Sequence, residues 1–415
     1  MTSELALPES AYGAGVIERA SADAAYRKTL DLIRAAEPEK PVFCVSPSAA
    51  HTHIENIQKC FPARLLFAVK ACPLEHVIVL AHEAGISRFD VASPEEIALV
   101  RRLVPGSKLF YNNPIRAPGE IETALFDHGV RRFAVDDRAG LQALDRAVGN
   151  RLKRKKIEIA VRLRTLEKNA GGHDFTRKFG ADDKDAISIL KETKALGFEG
   201  SLTFHPGSQC ADAGAYSALL EISREIADKS RVRISAVNVG GGFPAPYAGL
   251  AYGRSLEMFS KVQTAFGNIF DGEKIKLRAE PGRAFAAPIV SIVTQVKHIR
   301  PDGSIFLNDG IFGAFAEFEY IEMRLPVRFW RKEGEIIGPS RSVEVYGPTC
   351  DPSDAFPYQV DVPLDLKVGD WLEFGLIGGY GPATVTRFNG YGSYEIATVE
   401  ETINNAIFAS KNTPA

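Results

Sequence analysis

The chain has 415 residues, 45% of them hydrophobic and 25% charged, with a net charge of −2. That balance belongs to an ordinary globular protein and offers no electrostatic case for nucleic acid or an anionic membrane. No apolar run approaches the ~20 residues needed to cross a bilayer, and MTSELALPES lacks a basic region followed by an apolar core, so neither membrane insertion nor secretion is expected.

The five cysteines (Cys44, Cys60, Cys72, Cys210, Cys350) are scattered and form no CxxC pair. Neither a disulfide framework nor a metal site is therefore expected, and a reduced, cytoplasmic setting is the simplest fit.

In chain order, an amphipathic helix is predicted at 22–36, with Ser21 available as its cap and Ala25, Leu32, Ile33 and Ala36 as apolar positions. PVFCVSP at 41–47 reads as a strand, and 48–59 as a helix. Short apolar or β-branched runs then recur at 65–69, 88–91, 108–112, 132–135, 157–163, 201–205, 234–239 and 275–279, with helical stretches between them. Strands alternating with helices imply a parallel sheet, and eight over roughly 250 residues is the size of a closed (β/α)8 barrel. A doubly wound sheet is the alternative, but it gathers its site at one crevice, whereas here polar or glycine-rich ends follow most strands. Helices are predicted at 95–103 and at 185–196, the latter capped by Asp182 or Asp183. RLKRKK at 151–156 stands alone without interleaved aromatics and reads as a solvated turn.

After Arg283 the segments become β-branched and aromatic with turns between them, which predicts a second, mainly antiparallel β domain. The expected division is a barrel at 46–285 and a β domain at 286–415, with segment 1–45 folding back onto the latter.

The strand ends carry the chemistry. They present Lys70, then Asp90 and Ser93, Arg162 and Arg164, His205 and Ser208, the glycines Gly240, Gly241 and Gly242, and finally Glu280, Gly282 and Arg283. A partly buried lysine can attack a carbonyl, and glycine runs let backbone N–H groups approach a phosphate that Arg283 can neutralise. Pyridoxal phosphate uses these parts, with Glu280 as the acidic partner of its ring nitrogen and His205 against the ring.

FAVKAC, FDVASPEEI, RKFGA, FHPGSQC, NVGGGFP, AEPGR, NDGIFGAF, YGPTCD and FNGY, in this order between about 40 and 400, together resemble the fold-type III pyridoxal-phosphate decarboxylases, above all ornithine and lysine decarboxylases. The resemblance implies an alanine-racemase-like barrel, a C-terminal β domain and a homodimer with active sites shared across its interface. It implies that Lys70 condenses with the cofactor aldehyde, that Glu280 partners the ring nitrogen and that His205 stacks on the ring. Ser208, Gly240, Gly241, Gly242, Gly282, Arg283 and Tyr380 correspond to phosphate-binding positions, and Asp90 and Arg162 to positions lining the cofactor site. Glu96 falls on another motif position. Cys350 corresponds to the cysteine that protonates the product carbon from the partner subunit, and Asp351 to the aspartate meeting the distal amine.

Phe312 stands where the family has tyrosine, Pro206 where valine or isoleucine is common, and Glu317, Glu319 and Tyr320 follow without a clear counterpart of the family's distal-amine aspartate. The expected activity is decarboxylation of a basic L-amino acid, ornithine or lysine first, to a diamine, with Phe312, Glu319, Tyr320 and Asp351 toward the substrate. A larger carboxylated amine of the carboxynorspermidine or siderophore type, an amino-acid racemase, and a non-catalytic regulator of the antizyme-inhibitor kind are the alternatives.

Overall fold

In the computed structural model the described residues are 26–165, 178–247 and 249–409. The described residues divide into two compact units, one of residues 51–285 and one that joins 26–50 to 286–409.

The first unit is a parallel barrel. Its sheet begins at Arg64–Leu65, paired with Lys276–Ala279, and ends at Phe67–Ala68, paired with Arg88–Val91. Because these two short strands are one stretch of chain interrupted at Leu66, the sheet returns to its start and the expected (β/α)8 ring is closed. Between them run Arg88–Val91, Lys108–Tyr111, Arg132–Val135, Glu158–Arg162, Glu199–Thr203, Ala236–Asn238 and Lys276–Ala279, each beside its chain neighbour. The predicted first strand, 65–69, is thus shortened: Val69–Ala71 forms a single helical turn, so Lys70 sits in a tight corner just past the strand.

The crossovers follow their sequence signals. Helix Pro94–Leu103 starts with proline, and Ser93 Oγ accepts from Glu96 N while the Glu96 carboxylate accepts from Ala92 N, a reciprocal cap. Ser93 is therefore a helix cap and not a strand-end group. Asp182 caps Asp183–Ala195. The basic 151–156 cluster is a surface turn, where Arg154 pairs with Asp145 and Arg151 with Glu122. Helix Tyr252–Ile269 packs through Phe259, stacked on Phe243 at 4.0 Å between ring centres, and Phe243 also meets Phe61 and Tyr216. Each such ring withdraws apolar surface worth ~1.5–3 kcal/mol from water and ties the loop after Ala236–Asn238 to the outer helices.

The second unit is a mixed, mainly antiparallel sheet. Val42–Val45 lies between Glu395–Glu401, to which it is parallel, and Val290–Ile299, to which it is antiparallel. Trp371–Phe374 and Val327–Arg331 continue it. The predicted helix at 22–36 is shorter, because Tyr26–Lys28 is an edge strand. The helix is Thr29–Ala36, and Asp31 accepts from Lys28 N at its start. Ser21 and Ala25 lie outside the described residues. At the sheet's centre the buried Glu373 carboxyl, raised by burial, accepts from Thr29, Ser291, Trp330 and Ile403 N. No described helix is long and apolar enough to cross a membrane.

Candidate functional site

The C-terminal ends of the barrel strands bring most of the sequence-derived groups together. In the turn after the first strand, Val69 and Ala71 are buried and Lys70 is the exposed residue between them. Its Nζ stands 3.1 Å from Asp90 Oδ2, with the lysine side chain 44% exposed and the aspartate 2%. Asp90 lies within Arg88–Val91 and Arg162 closes Glu158–Arg162.

Glu280 follows Lys276–Ala279 directly, and its N–H donates to Gly240 O at 2.7 Å, joining two strand ends. The side-chain amides of Asn112 and Asn238 both donate to Glu280 Oε1, and neither is bonded to Oε2. Burial first, then the neighbouring Asp90 charge, pushes the Glu280 carboxyl up to about 8, against the opposing pull of Lys70, the Asn238 bond and Arg162. Glu96 is raised to about 7, again chiefly by burial. Arg162 is lowered by burial, while Glu280, Asp136 and Asp90 act the other way. The Lys70 amine thus contacts one buried carboxyl group, Asp90, and its charge acts on two more, Glu280 and Glu96.

His205 Nδ1 accepts from Gly207 N at 3.1 Å, and its carbonyl accepts from Thr165 Oγ1 at 2.7 Å. With Nδ1 accepting, the neutral ring carries its proton on Nε2. That nitrogen lies against Gly241: a Cβ there would come within 3.1 Å of it and 3.0 Å of Glu280 O. Gly240 and Gly242 have φ of +69° and +88°, and a Cβ on either would collide with the Phe204 or Gly207 carbonyl. Tyr216 OH donates to Gly241 O at 2.9 Å, and Cys210 N to Gly242 O at 2.8 Å, so the glycine turn is fastened to the loop that carries the buried Ser208. Gly282 lets its turn approach the Lys70 corner, where a Cβ would come within 2.9 Å of Ala71 Cβ. Arg283 is buried at the start of Arg283–Ala286.

Asn112, Asn238 and Tyr216 were not singled out from the sequence. Asn238 lies inside NVGGGFP and Asn112 ends a predicted strand, so position was the only available signal. Lys178, Phe179, Gly180 and Ala181 of RKFGA are described, with the Arg162 guanidinium 4.4 Å from the Phe179 ring centre; Arg177 lies outside the described residues.

The remaining expected residues belong to the second unit. Cys350 is exposed, and its N–H donates to Asn389 Oδ1 at 3.0 Å. Asp351 Oδ1 accepts from Ser353 N at 2.9 Å and Ser353 Oγ at 2.6 Å, and these bonds hold its carboxyl below the usual range. The loop is organised by the buried Asp354, which accepts from Ile311 N, Thr349 N and Thr349 Oγ1 at 2.9, 2.9 and 2.7 Å. Asp354 therefore ties the 309–312 segment to the Cys350 loop. Phe312 packs on Phe388 at 4.8 Å, and its carbonyl accepts from Thr386. Glu319 and Tyr320 are exposed, Glu317 is buried, and Tyr380 adopts φ +73° at the head of a single turn.

Residues 48–287 match the pyridoxal-binding domain of the pyridoxal-dependent decarboxylases. A lysine/ornithine decarboxylase of Selenomonas ruminantium is 29% identical over 337 residues, covering 79% of this chain and 81% of that protein. Antizyme inhibitor 2 of Xenopus laevis is 27% identical over 360 residues, covering 82% and 76%. The lysine/ornithine decarboxylase of Vibrio vulnificus, solved with putrescine, superposes with a TM-score of 0.76 at 25% identity, covering 89% of this chain and 97% of that one. The barrel's own residues fit pyridoxal phosphate: an exposed amine, a buried acid whose second oxygen the two asparagines leave unbonded, and a turn in which side chains are excluded. With the family matched over more than half of its length, the chain belongs to the pyridoxal-dependent decarboxylases, and its chemistry is decarboxylation supported by pyridoxal phosphate.

Proposed function

We propose that the protein decarboxylates a basic L-amino acid, ornithine or lysine first among them, to the corresponding diamine. The carrying observation is Glu280: a buried carboxyl bonded through one oxygen to Asn112 and Asn238, close enough to Lys70 and Asp90 for their charges to shift it. When bound, pyridoxal phosphate supplies an aldehyde for the substrate amine and a ring that accepts the electrons left as carbon dioxide departs.

In this reading Lys70 would hold the cofactor through its amine, with Asp90 keeping the lysine in place. Glu280, whose carboxyl is raised, would hold a proton for the cofactor's ring nitrogen. His205 would lie against the cofactor ring, and the turns at 240–242 and 282–283, with Ser208 and Tyr380, would hold the phosphate. Cys350 delivers a proton to the product carbon, and Asp351, anionic at neutral pH, pairs with the distal ammonium of the substrate. Both are taken to act from the partner subunit of a homodimer, in the cytoplasm. Support for the substrate class comes from relatives named for lysine and ornithine.

Carbon dioxide release, measured across ornithine, lysine, arginine, diaminobutyrate, diaminopimelate and a carboxyspermidine-type substrate, tests the proposal. Turnover of ornithine or lysine ahead of the others is expected. Turnover of the carboxylated polyamine alone would reassign the substrate, and no turnover by cofactor-loaded protein would favour the role of the antizyme-inhibitor relative.

A further inference from the structure

The barrel has a second polar end. Side chains alternate along a strand, so residues two and four positions before Asp90, Arg162 and Glu280 face the same interior nearer the N-terminal mouth. These include Arg88, Glu158 and Arg278. Pairing register adds Arg64 opposite Arg278, Lys108 opposite Arg88, Arg132 opposite Glu158, and Glu199 opposite Glu158. Lys276, two before Arg278, completes the set. Except for Arg278, each of these is the first residue of its strand. Six cations meet two carboxylates there, in a chain whose total charge is −2.

The guanidinium carbons of Arg132 and Arg278 both lie 5.0 Å from the centre of the interior Phe110 ring, so the side chains converge. Glu158 engages Arg278 through both of its oxygens, and Arg132 Nε stands 3.8 Å from the same carboxylate. The other cations are not answered: among the described residues the side chains of Arg64 and Arg88 make no hydrogen bond or ion pair, and Arg278 Nε is buried without an acceptor. Burial first, then the charges of Arg64, Arg278 and Arg132, lower the Arg88 guanidinium. Packing like charges into a half-buried mouth costs stability, and a ligand that binds only the folded state removes such a cost.

We infer that the N-terminal mouth of the barrel is a second binding site, for a small phosphate-type oxyanion carrying two or more charges. Guanidinium forks match such oxygens bidentately, and Arg64, Arg88 and Arg278 Nε supply the unused donors, with Lys108 and Lys276 at the rim. An eight-stranded barrel admits one small ligand at most, which excludes a nucleic-acid strand. The site is at the opposite end of the strands from Lys70 and does not depend on the substrate proposed above.

The test uses the holoprotein saturated with pyridoxal phosphate, so that the cofactor's phosphate cradle is taken. Inorganic pyrophosphate is titrated by calorimetry at constant ionic strength into wild type, Arg64→Gln and Arg88→Gln, and Tm is read with and without the anion. Expected are saturable binding at one site per chain, at least about 10-fold weaker binding in each variant, and a pyrophosphate-dependent rise in Tm that is larger in wild type than in either variant at the same anion concentration. Without pyrophosphate, Arg88→Gln should melt at or above wild type, because repulsion is relieved. No saturable binding, equal binding by the variants, or a variant that melts lower or fails to fold without the anion would overturn the inference, since the last shows that the arginines already stabilise the anion-free protein.

Discussion

Lys70 Nζ lies 3.1 Å from Asp90 Oδ2, a half-exposed amine set against a carboxylate that is almost wholly buried. The asymmetry is functional in form: the carboxylate is fixed by the sheet, while the amine retains access to solvent and to an arriving aldehyde. Water reaching the amine screens the attraction across the pair, so its use lies in placing the amine.

Lys70→Ala should abolish decarboxylation, on the order of 10³-fold or more, as loss of a reacting nucleophile does. The visible absorbance of the cofactor-loaded protein should change at the same time, and borohydride should no longer fix cofactor to the chain. Retention of a borohydride adduct on the variant would move the attachment to another amine.

Glu280 governs a pH dependence whose sign can be worked out. Its carboxyl is raised to about 8 in the folded cofactor-free protein, against ~4.3 unfolded. The folded state therefore binds the extra proton between those values, and stability is full below about 4.3 and declines as pH rises toward about 8. Glu96 and Asp309, each raised to about 7, act in the same direction, so the quantity to measure is the Tm-versus-pH slope of wild type minus that of Glu280→Gln. The difference should be negative between pH 5 and 8, and should shrink on cofactor loading as the ring nitrogen shares the proton. Equal slopes in the two proteins would show that Glu280 is ionised throughout.

Much of this site was legible in order along the chain, because a barrel converts sequence order into a ring of strand ends. Lys70, the glycines at 240–242 and Glu280 each follow an apolar run, and the glycines are enforced by left-handed φ or by carbonyls a Cβ would strike. Asn112 and Asn238 were not legible, since Asn238 reaches Glu280 from the neighbouring strand only through register, and Asn112 reaches the same oxygen only because the closed barrel brings a non-adjacent strand end to it. The basic mouth was hidden for a related reason: a lysine or arginine that starts a strand looks solvated until register shows that six face inward together. Asp354 lay in a loop without period, and its three bonds join Ile311 to the distant Thr349.

Gly241→Ala separates cofactor holding from folding. Gly241 does not need positive φ, so alanine is penalised only by its approach to His205 Nε2 and Glu280 O. We expect a folded protein that binds pyridoxal phosphate roughly 10-fold more weakly, a cost of about 1.4 kcal/mol. Gly240→Ala, which adds left-handed strain and a collision with Phe204 O, should instead lower the yield of folded protein. Equal behaviour of the two variants would contradict this division.

Asp354→Asn should act on turnover and leave the cofactor alone. The substitution keeps the shape of the side chain but turns one acceptor oxygen into a donor nitrogen facing backbone N–H groups of Ile311 or Thr349. Leaving such a buried donor unsatisfied costs ~1–3 kcal/mol, spent in loosening the loop that carries Cys350 and Asp351. Cofactor absorbance and affinity should match wild type while kcat falls about 10-fold. A change in cofactor affinity with kcat intact would place Asp354 in a different role.

Asp351 decides the substrate class, and its test turns on a comparison of substrates. Its carboxyl is held below the usual range by two Ser353 bonds to Oδ1, so it is anionic at any neutral assay pH and presents Oδ2 to a cation. A carboxylate in that state discriminates by charge: it gains from a distal ammonium and gains nothing from a methyl group of the same length. For Asp351→Ala, kcat/KM for ornithine and lysine should fall on the order of 10²-fold, the equivalent of ~2–3 kcal/mol for a charge-assisted pair, while that for norvaline and norleucine stays near its low wild-type value. The ratio of the two, not the loss alone, is diagnostic, because a general disturbance of the Cys350 loop lowers both together. If the preference for the diamino acid survives the substitution, Asp351 is not the reader of the distal amine, and the exposed Glu319 is the next carboxylate to replace.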